Sequence, residues 1–413
     1  MADRTTSRVA SQADVSETNR SRILTHLHRH GVCSRAQIAK ALGLTPAAVT
    51  KITARLIEAG VIRETGAPGG RNRRAIGLEL AADAFHVIGV KFARSLVQVG
   101  VFDLNGTRLA LETLPPVTDE TVPRTVGEVR RTVAGLIERD PRIVAVGMAV
   151  PGPYLREVGR TALVSTMQGW RTVNFLDEFS GAFPAPVFIE QDARAGALAQ
   201  TLFGASPAVA TVTTATAADD TCLAYYLLGE GVGLGVVDHG RLVNGAQGTA
   251  TEVGHISIDV NGRPCDCGNR GCLERYCSTP AIHAMVDDAG IVEGSAAMSH
   301  AQACRALFAL AQEGDARARG LVREVGHAVG YGLVIIANAF NPSRIVIGDI
   351  VAEAGPLLLE AAREVMDERV IAEVTQATEV TASALPTDAA VLGAGAIAIT
   401  RFLERPSAFL DLT

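Results

Sequence analysis

The chain has 413 residues, 48% of them apolar and 20% charged, which allows a substantial core in two or three domains and excludes a disordered polymer. Its net charge of −6 conceals an asymmetry: residues 1–80 hold 13 Lys and Arg against 6 Asp and Glu, and the remainder holds 25 against 38. A basic head on an acidic body fits a head that meets a polyanion. The seven cysteines are odd in number and three crowd between 265 and 272, which fits metal binding in a reducing compartment better than a disulfide framework. The first twenty residues carry no hydrophobic leader, and no stretch of eighteen uncharged apolar residues reads as a membrane span. A cytoplasmic protein without a membrane partner is therefore expected.

Residues 20–62 are predicted as three short helices. The first, 22–30, puts Ile23, Leu24 and Leu27 on one stripe and stops before Gly31. Ser34 and Gln37 have capping-box spacing for a second helix that turns Ile38, Ala39 and Leu42 inward and ends at Gly43. Thr45 caps a third, with Pro46 at its first position and Val49, Ile52 and Leu56 as the buried stripe. Ala47, Thr50, Lys51 and Arg55 then face solvent or a partner. Two helices joined by a short turn containing Gly make a helix-turn-helix, whose second helix enters the major groove N-terminus first. Residues 61–64 and 75–80 read as strands, and the Gly/Pro-rich turn between them leads into Arg71, Arg73 and Arg74. That is a wing whose arginines reach phosphate or a narrow minor groove. The expected DNA-contacting set is Thr45, Ala47, Thr50, Lys51, Arg71, Arg73 and Arg74, with operator DNA as the partner.

From about residue 85 apolar strands alternate with helices in an α/β pattern. Strands are predicted at 87–90, 96–102, 143–150, 187–189 and 346–348, with a helix at 125–138 and an Ala-rich helix after Asp192. Residues 205–220 read as a surface loop, and no simple internal repeat is visible. Trp170, the only tryptophan, is either core or a sugar-stacking platform. Cys33, Cys222, Cys277 and Cys304 carry no motif and read as small buried apolar residues.

The densest chemical signal is His255 followed by Cys265, Cys267 and Cys272, with Gly268 and Gly271 between the last two. Three thiolates and one imidazole suit a tetrahedral Zn²⁺ with no position open for water, which makes the site structural. Glu252 and Glu274 lie immediately beside it.

The head resembles the winged helix of the ROK family (repressors, open reading frames and kinases) in Ser34-Arg35-Ala36-Gln37-Ile38-Ala39, Gly43-Leu44-Thr45, Leu56-Ile57-Glu58-Ala59-Gly60 and Gly69-Gly70-Arg71. From about 85 to 400 the chain resembles the ROK sugar-kinase core, most specifically in Glu252-Val253-Gly254-His255, the cysteine cluster and Glu274. The resemblance implies an α/β chain: an N-terminal winged helix-turn-helix followed by a two-lobed, actin-like ATPase (ribonuclease H-like) core. It implies zinc on His255, Cys265, Cys267 and Cys272, and sugar hydroxyls on Glu252, His255 and Glu274. Asp192 matches the kinases' catalytic base and is preceded by Gln191 where the family has Asn; both join the expected sugar-binding set. The chain divides on this reading into a DNA-binding domain (1–80), a first lobe (81–195, with a C-terminal helix 388–413 packing back on it), and a second lobe (196–387) carrying the zinc motif and a dimer surface.

The family's kinase pattern fails at three places. Lys91-Phe92-Ala93-Arg94-Ser95 stands for the Asp-x-Gly-Gly-Thr phosphate turn, Glu230 for a Thr in the second phosphate loop, and Gly348-Asp349-Ile350 for consecutive glycines. A carboxylate beside a phosphate costs a few kcal/mol at an effective dielectric near 20. The expectation is a non-enzymatic, sugar-responsive repressor in which Asp192 is a vestigial base. It would act as a homodimer or dimer of dimers on a sugar or sugar-phosphate effector, with coupling near 66–70 and 81–84. The alternative is an ATP-dependent sugar kinase with an added DNA-binding head.

Overall fold

A computed structural model describes residues 12–68, 76–94, 96–162, 167–204, 222–385 and 390–412. Arg71, Arg73, Arg74 and the predicted loop at 205–220 lie outside the described residues.

In the head, helix α1 (Gln12–His30) starts ten residues before the predicted boundary. Its polar first turns carry no apolar stripe to read; the far end of the chain holds them instead. Arg20 donates to the Ser407 hydroxyl at 2.9 Å and to the Leu412 carbonyl at 2.7 Å, and Glu17 accepts the Ser407 N–H at 3.0 Å. The short strand β1 (Cys33–Ser34) leads into α2 (Arg35–Leu42). Ser34 and Gln37 form the reciprocal cap there, and Gly43 closes the helix at φ +64°. Thr45 accepts the Ala48 N–H at 3.2 Å and starts α3 (Pro46–Glu58). Strands β2 (Ile62–Pro68) and β3 (Ile76–Leu80) pair antiparallel, and β1 adds to β3, giving the small sheet of a winged helix. Val49 and Leu56 are buried as the spacing predicts, whereas Ile52 is half-buried and Thr53 takes the fully buried position beside it.

Among the described residues, the body contains two five-stranded sheets. The first has β4 (His86–Phe92), β5 (Val97–Asp103), β6 (Arg108–Thr113), β7 (Ile143–Val150) and, beyond the hairpin β8 (Tyr154–Leu155)/β9 (Arg160–Thr161), β10 (Val187–Gln191). Helices α4 (Val122–Arg139), α5 (Phe175–Phe179) and α6 (Asp192–Phe203) belong to this half of the chain. The second has β11 (Cys222–Leu228), β12 (Val232–Asp238), β13 (Arg241–Leu242), β14 (Arg344–Gly348) and β15 (Glu379–Ala382). It is covered by α7 (Glu274–Cys277), α8 (Thr279–Ala289), α9 (His300–Glu313), α10 (Ala316–Phe340), α11 (Pro356–Arg369) and α12 (Ala372–Ala377).

The strand orders are β10-β7-β4-β5-β6 and β15-β14-β11-β12-β13. In both, three consecutive strands meander antiparallel and two later strands add in parallel on the other side of the first. The two halves thus repeat one topology without sharing a readable sequence. Helix α10 is long and apolar enough to cross a membrane, yet Leu321, Val325, Val329, Leu333 and Ile336 lie in the core of the second sheet.

Helix α13 (Ala390–Glu404) joins the parts. It presses on the first sheet so closely that a Cβ at Gly147 would lie 2.0 Å from the Ala394 carbonyl oxygen, and one at Gly89 would lie 2.6 Å from the Gly395 nitrogen. Its other side meets α6, where a Cβ at Gly393 would lie 3.2 Å from the Ala195 carbonyl carbon. Val391, Ile399, Phe402 and Leu403 then share one core with Ile23, Leu24 and Leu27 of the head. The junction at 81–84 belongs to that packing: Ala82 is buried, and its carbonyl accepts the Leu104 N–H at 3.1 Å.

Overpacking this seat is expected to cost roughly 1–3 kcal/mol in Gly147→Ala. Gly127→Ala on α4, where the nearest atom is a flexible arginine end at 3.7 Å, should be neutral or stabilising by about 0.5–1 kcal/mol. Urea unfolding of both variants checks this, and equal midpoints would contradict it.

Candidate functional site

The metal motif folds on its own backbone. His255 ends a 3-10 turn (Val253–His255), and the cysteine loop returns beside it. The Cys265 N–H donates to the Asn269 carbonyl at 2.9 Å and the Gly268 N–H to the Cys265 carbonyl at 2.9 Å, with Gly268 at φ +91°. Gly271, at φ +67°, sits where a Cβ would lie 1.7 Å from the Asp259 carbonyl oxygen, so only glycine fits.

One donor atom from each of His255, Cys265, Cys267 and Cys272 lies within 4.8 Å of the others. The Cys267 and Cys272 sulfurs are 3.6 Å apart, and the Cys265 sulfur is 3.8 Å from His255 Nδ1. Edges of a tetrahedron around Zn²⁺ with Zn–S near 2.3 Å are about 3.8 Å, so the donor set fits that ion. Burial, reinforced by neighbouring thiols, pushes the Cys272 thiol up to about 12, and burial also raises Cys265. Thiols packed this way hold their protons until a cation stabilises the thiolates.

The sequence-predicted sugar residues come together. Gln191, Asp192, Glu252, His255 and Glu274 all line a cleft of about 560 Å³, as does Lys91. Gln191 ends β10 and caps α6, accepting the Arg194 N–H at 3.2 Å, so the strand-to-helix turn aims Asp192 into the cleft. Glu274 accepts the Val232 N–H at 3.1 Å. Burial pushes the Glu252 carboxyl up to about 7, against the opposing pull of Arg194.

Lys91, at the end of β4, donates from Nζ to Asp192 at 3.2 Å. Asp349 stands behind this pair at φ +72°, a conformation that strains any residue with a side chain. Burial pushes its carboxyl up to about 6, with Lys91 opposing and Asp192 and Glu230 adding to the rise. A Cβ at Gly229 would lie 2.6 Å from an Asp349 carboxylate oxygen, so that side chain lies directly against the second glycine loop.

Arg194 is the site residue that sequence reasoning missed. It is 0% exposed, and its Nε lies 3.3 Å from Glu190, itself buried, while its charge acts on Glu252. The available signal was a lone arginine in the otherwise small and apolar run Ala193–Ala199 of α6. Trp170 is core: it is fully buried, stacks on Phe175 with centroids 6.1 Å apart, and donates to the Arg94 carbonyl at 3.0 Å. It does not line the cleft, so no sugar platform exists there. Cys33, Cys222, Cys277 and Cys304 are buried. In the head, Thr45 at the α3 N-cap and Ala47, Thr50 and Lys51 on α3 are exposed, and Arg55 is half-buried.

The ROK family model matches residues 87–401, and a model described as winged helix-turn-helix DNA-binding matches residues 16–63. The DNA-binding transcriptional dual regulator NagC of Escherichia coli K12 is 32% identical over 357 residues, 84% of each chain. The xylose repressor of Bacillus spizizenii W23 is 26% identical over 405 residues, covering 96% of this chain and 98% of that one. A solved ROK family transcriptional regulator, described as a homolog of the E. coli MLC protein, superposes with a TM-score of 0.75 at 27% identity, over 95% and 97% of the two chains. A ROK family glucokinase from Streptomyces griseus, in complex with glucose and AMPPNP, superposes with a TM-score of 0.63 at 25% identity, over 76% of this chain and 99% of that one.

Because folding raises the Glu252 carboxyl from 4.5 to about 7, the folded state binds more protons across that window, and stability falls as pH rises through it. Glu252→Gln is expected to gain roughly 1–3 kcal/mol on the wild type at pH about 8 and much less at pH about 5.5. Denaturation midpoints of both proteins across pH test this; parallel curves would refute it.

Proposed function

The chain belongs to the ROK family, and we propose that it is a sugar-responsive, DNA-binding transcription regulator, a repressor of carbohydrate genes, without kinase activity. The observation that carries this reading is the Lys91–Asp192 ion pair in a cleft that otherwise keeps its sugar-facing carboxylates. A general base must accept a proton from the attacking hydroxyl. Asp192 is instead held by an ammonium, and Glu230 and Asp349 line the same cleft. Two like charges 4 Å apart cost about 4 kcal/mol at an effective dielectric of 20, so carboxylates here oppose a triphosphate.

On this reading the head (1–80) binds operator DNA through Thr45, Ala47, Thr50 and Lys51 of α3, with Arg71, Arg73 and Arg74 on the wing. The first lobe (81–195, with 388–413) and the second (196–387) enclose the effector, a sugar or sugar phosphate. Glu252 and Glu274 each accept hydroxyl hydrogen bonds, and Gln191 and Asp192 complete the set. The protein works as a homodimer or dimer of dimers in the cytoplasm, since paired half-sites supply affinity that one small head lacks. The effector acts through its different affinity for two arrangements of the heads.

Zn²⁺ would be held by His255, Cys265, Cys267 and Cys272, and it supplies a fixed cross-link with no open coordination position. His255 facing the cysteines through Nδ1 leaves Nε2 as a hydrogen-bond donor for a sugar oxygen. One zinc per chain is expected in purified protein, and Cys272→Ser should lose both the metal and sugar-dependent thermal stabilisation; metal-free protein with full sugar binding would oppose this role. Lys51→Ala should weaken operator binding and lower the salt slope by about one, without altering sugar affinity.

The second reading, a sugar kinase with a DNA-binding head, is favoured by Asp192 at the start of α6 and by the likeness to the glucokinase. A coupled assay with ATP, Mg²⁺ and a hexose panel separates the two. No turnover above background is expected, and rates of roughly 1–1000 per second would reject the proposal.

A further inference from the structure

Besides Glu252, His255 and Glu274, the cleft is lined by Arg94, Glu230 and His300. His300 opens α9 and is half-buried. Its Nδ1 lies 2.8 Å from Nδ1 of His283, a buried residue of α8. His283 Nε2 lies 3.0 Å from the Ser295 carbonyl oxygen and 3.5 Å from Asp287.

Both neighbours of His283 Nε2 are acceptors, so that nitrogen carries the proton. In a neutral ring Nδ1 is then an acceptor. With both rings neutral, His300 Nδ1 donates to it and His300 Nε2 keeps its lone pair. Burial lowers the His300 pKa, with Glu230 opposing the shift. Among the described residues nothing bonds to His300 Nε2, and it is not sealed from solvent. The Glu230 carboxylate likewise has no hydrogen bond or ion pair among the described residues. This end of the cleft thus offers two open acceptors beside the guanidinium of Arg94, a donor that lies 2.9 Å from where a Gly231 Cβ would stand.

A phosphate accepts only and would meet Glu230; an ammonium donates only and would meet Arg94. Hydroxyls do both. The volume of about 560 Å³ is mid-range for pockets of roughly 300–1,000 Å³ that enclose drug-sized ligands, and exceeds what a single pyranose fills. We propose that Arg94, Glu230 and His300 form an outer subsite for a second neutral sugar ring, so that the effector is a disaccharide or glycoside. This rests on the preceding reading, in which Glu252, His255 and Glu274 hold the first ring.

Calorimetric titration of the zinc-loaded full chain with neutral disaccharides, their constituent monosaccharides and hexose 6-phosphates tests it. At least one disaccharide should bind ten-fold or more tighter than its constituents and the phosphates. In His300→Ala and Glu230→Ala the ratio of disaccharide to monosaccharide affinity should fall about ten-fold, the scale of one lost hydrogen bond, whereas Glu252→Ala should weaken both sugars. Monosaccharide or hexose 6-phosphate binding as tight as any disaccharide, or an unchanged ratio in both variants, overturns the outer subsite alone. Binding of no saccharide of either size by the wild type overturns the sugar reading beneath it.

Discussion

The close seat of α13 on the first sheet is the constraint on which the other parts rest. Glycines at 89 and 147 bring helix backbone against strand backbone, at distances no side chain would permit. Such a contact resists sliding, because interiors are packed to crystal density and any shift meets hard atoms. One side of α13 therefore moves with the sheet that carries Lys91. Another lies along α6, which carries Asp192 and Arg194, and its end shares a core with α1 of the head. Residues at the cleft and the helices of the head are thus tied to one rigid rod, and Arg20 fastens the chain's last turn to the head.

Electrostatics in the cleft and in the core behind it follow one pattern: a buried cation stands among carboxylates. Lys91 lies with Asp192 and Asp349, and Arg194 lies with Glu190 and Glu252. A buried charge without a counter-charge is costly, so each cation stabilises the acids around it and is held by them. In a phosphoryl-transfer site such acids serve a metal ion or a reacting hydroxyl. Here the Lys91 ammonium lies 3.2 Å from Asp192 and supplies that positive charge from within the chain. Glu274, on the same cleft, accepts the Val232 backbone N–H.

Much of this was legible in the sequence, for local reasons. The caps of α2 and α3 were read from Ser34, Gln37, Gly43, Thr45 and Pro46, because capping depends on residues within one turn. The His/Cys cluster was read because its ligands and glycines lie within eighteen residues. Strand β6 escaped notice because all its side chains are exposed on a sheet edge, leaving little alternation to detect. The duplicated topology was invisible because strand order depends on pairing, and the two halves fill equivalent strands with different residues. The start of α1 and the Lys91–Asp192 pair depend on partners far away in the chain, which no local pattern encodes. Lys91 reads in sequence as a lost acid; in the fold it is a gained counter-ion.

In a sugar-responsive regulator, occupancy of the cleft must be felt at the winged helix-turn-helix head. Fluorescence anisotropy of the full zinc-loaded chain, on a DNA duplex selected from a random pool, measures this directly when titrated with and without a saturating saccharide. The expected result is a shift in DNA affinity of about 5–150-fold, the range of ordinary site-to-site coupling. Identical affinity in the two titrations, with the saccharide shown to be bound, would contradict it.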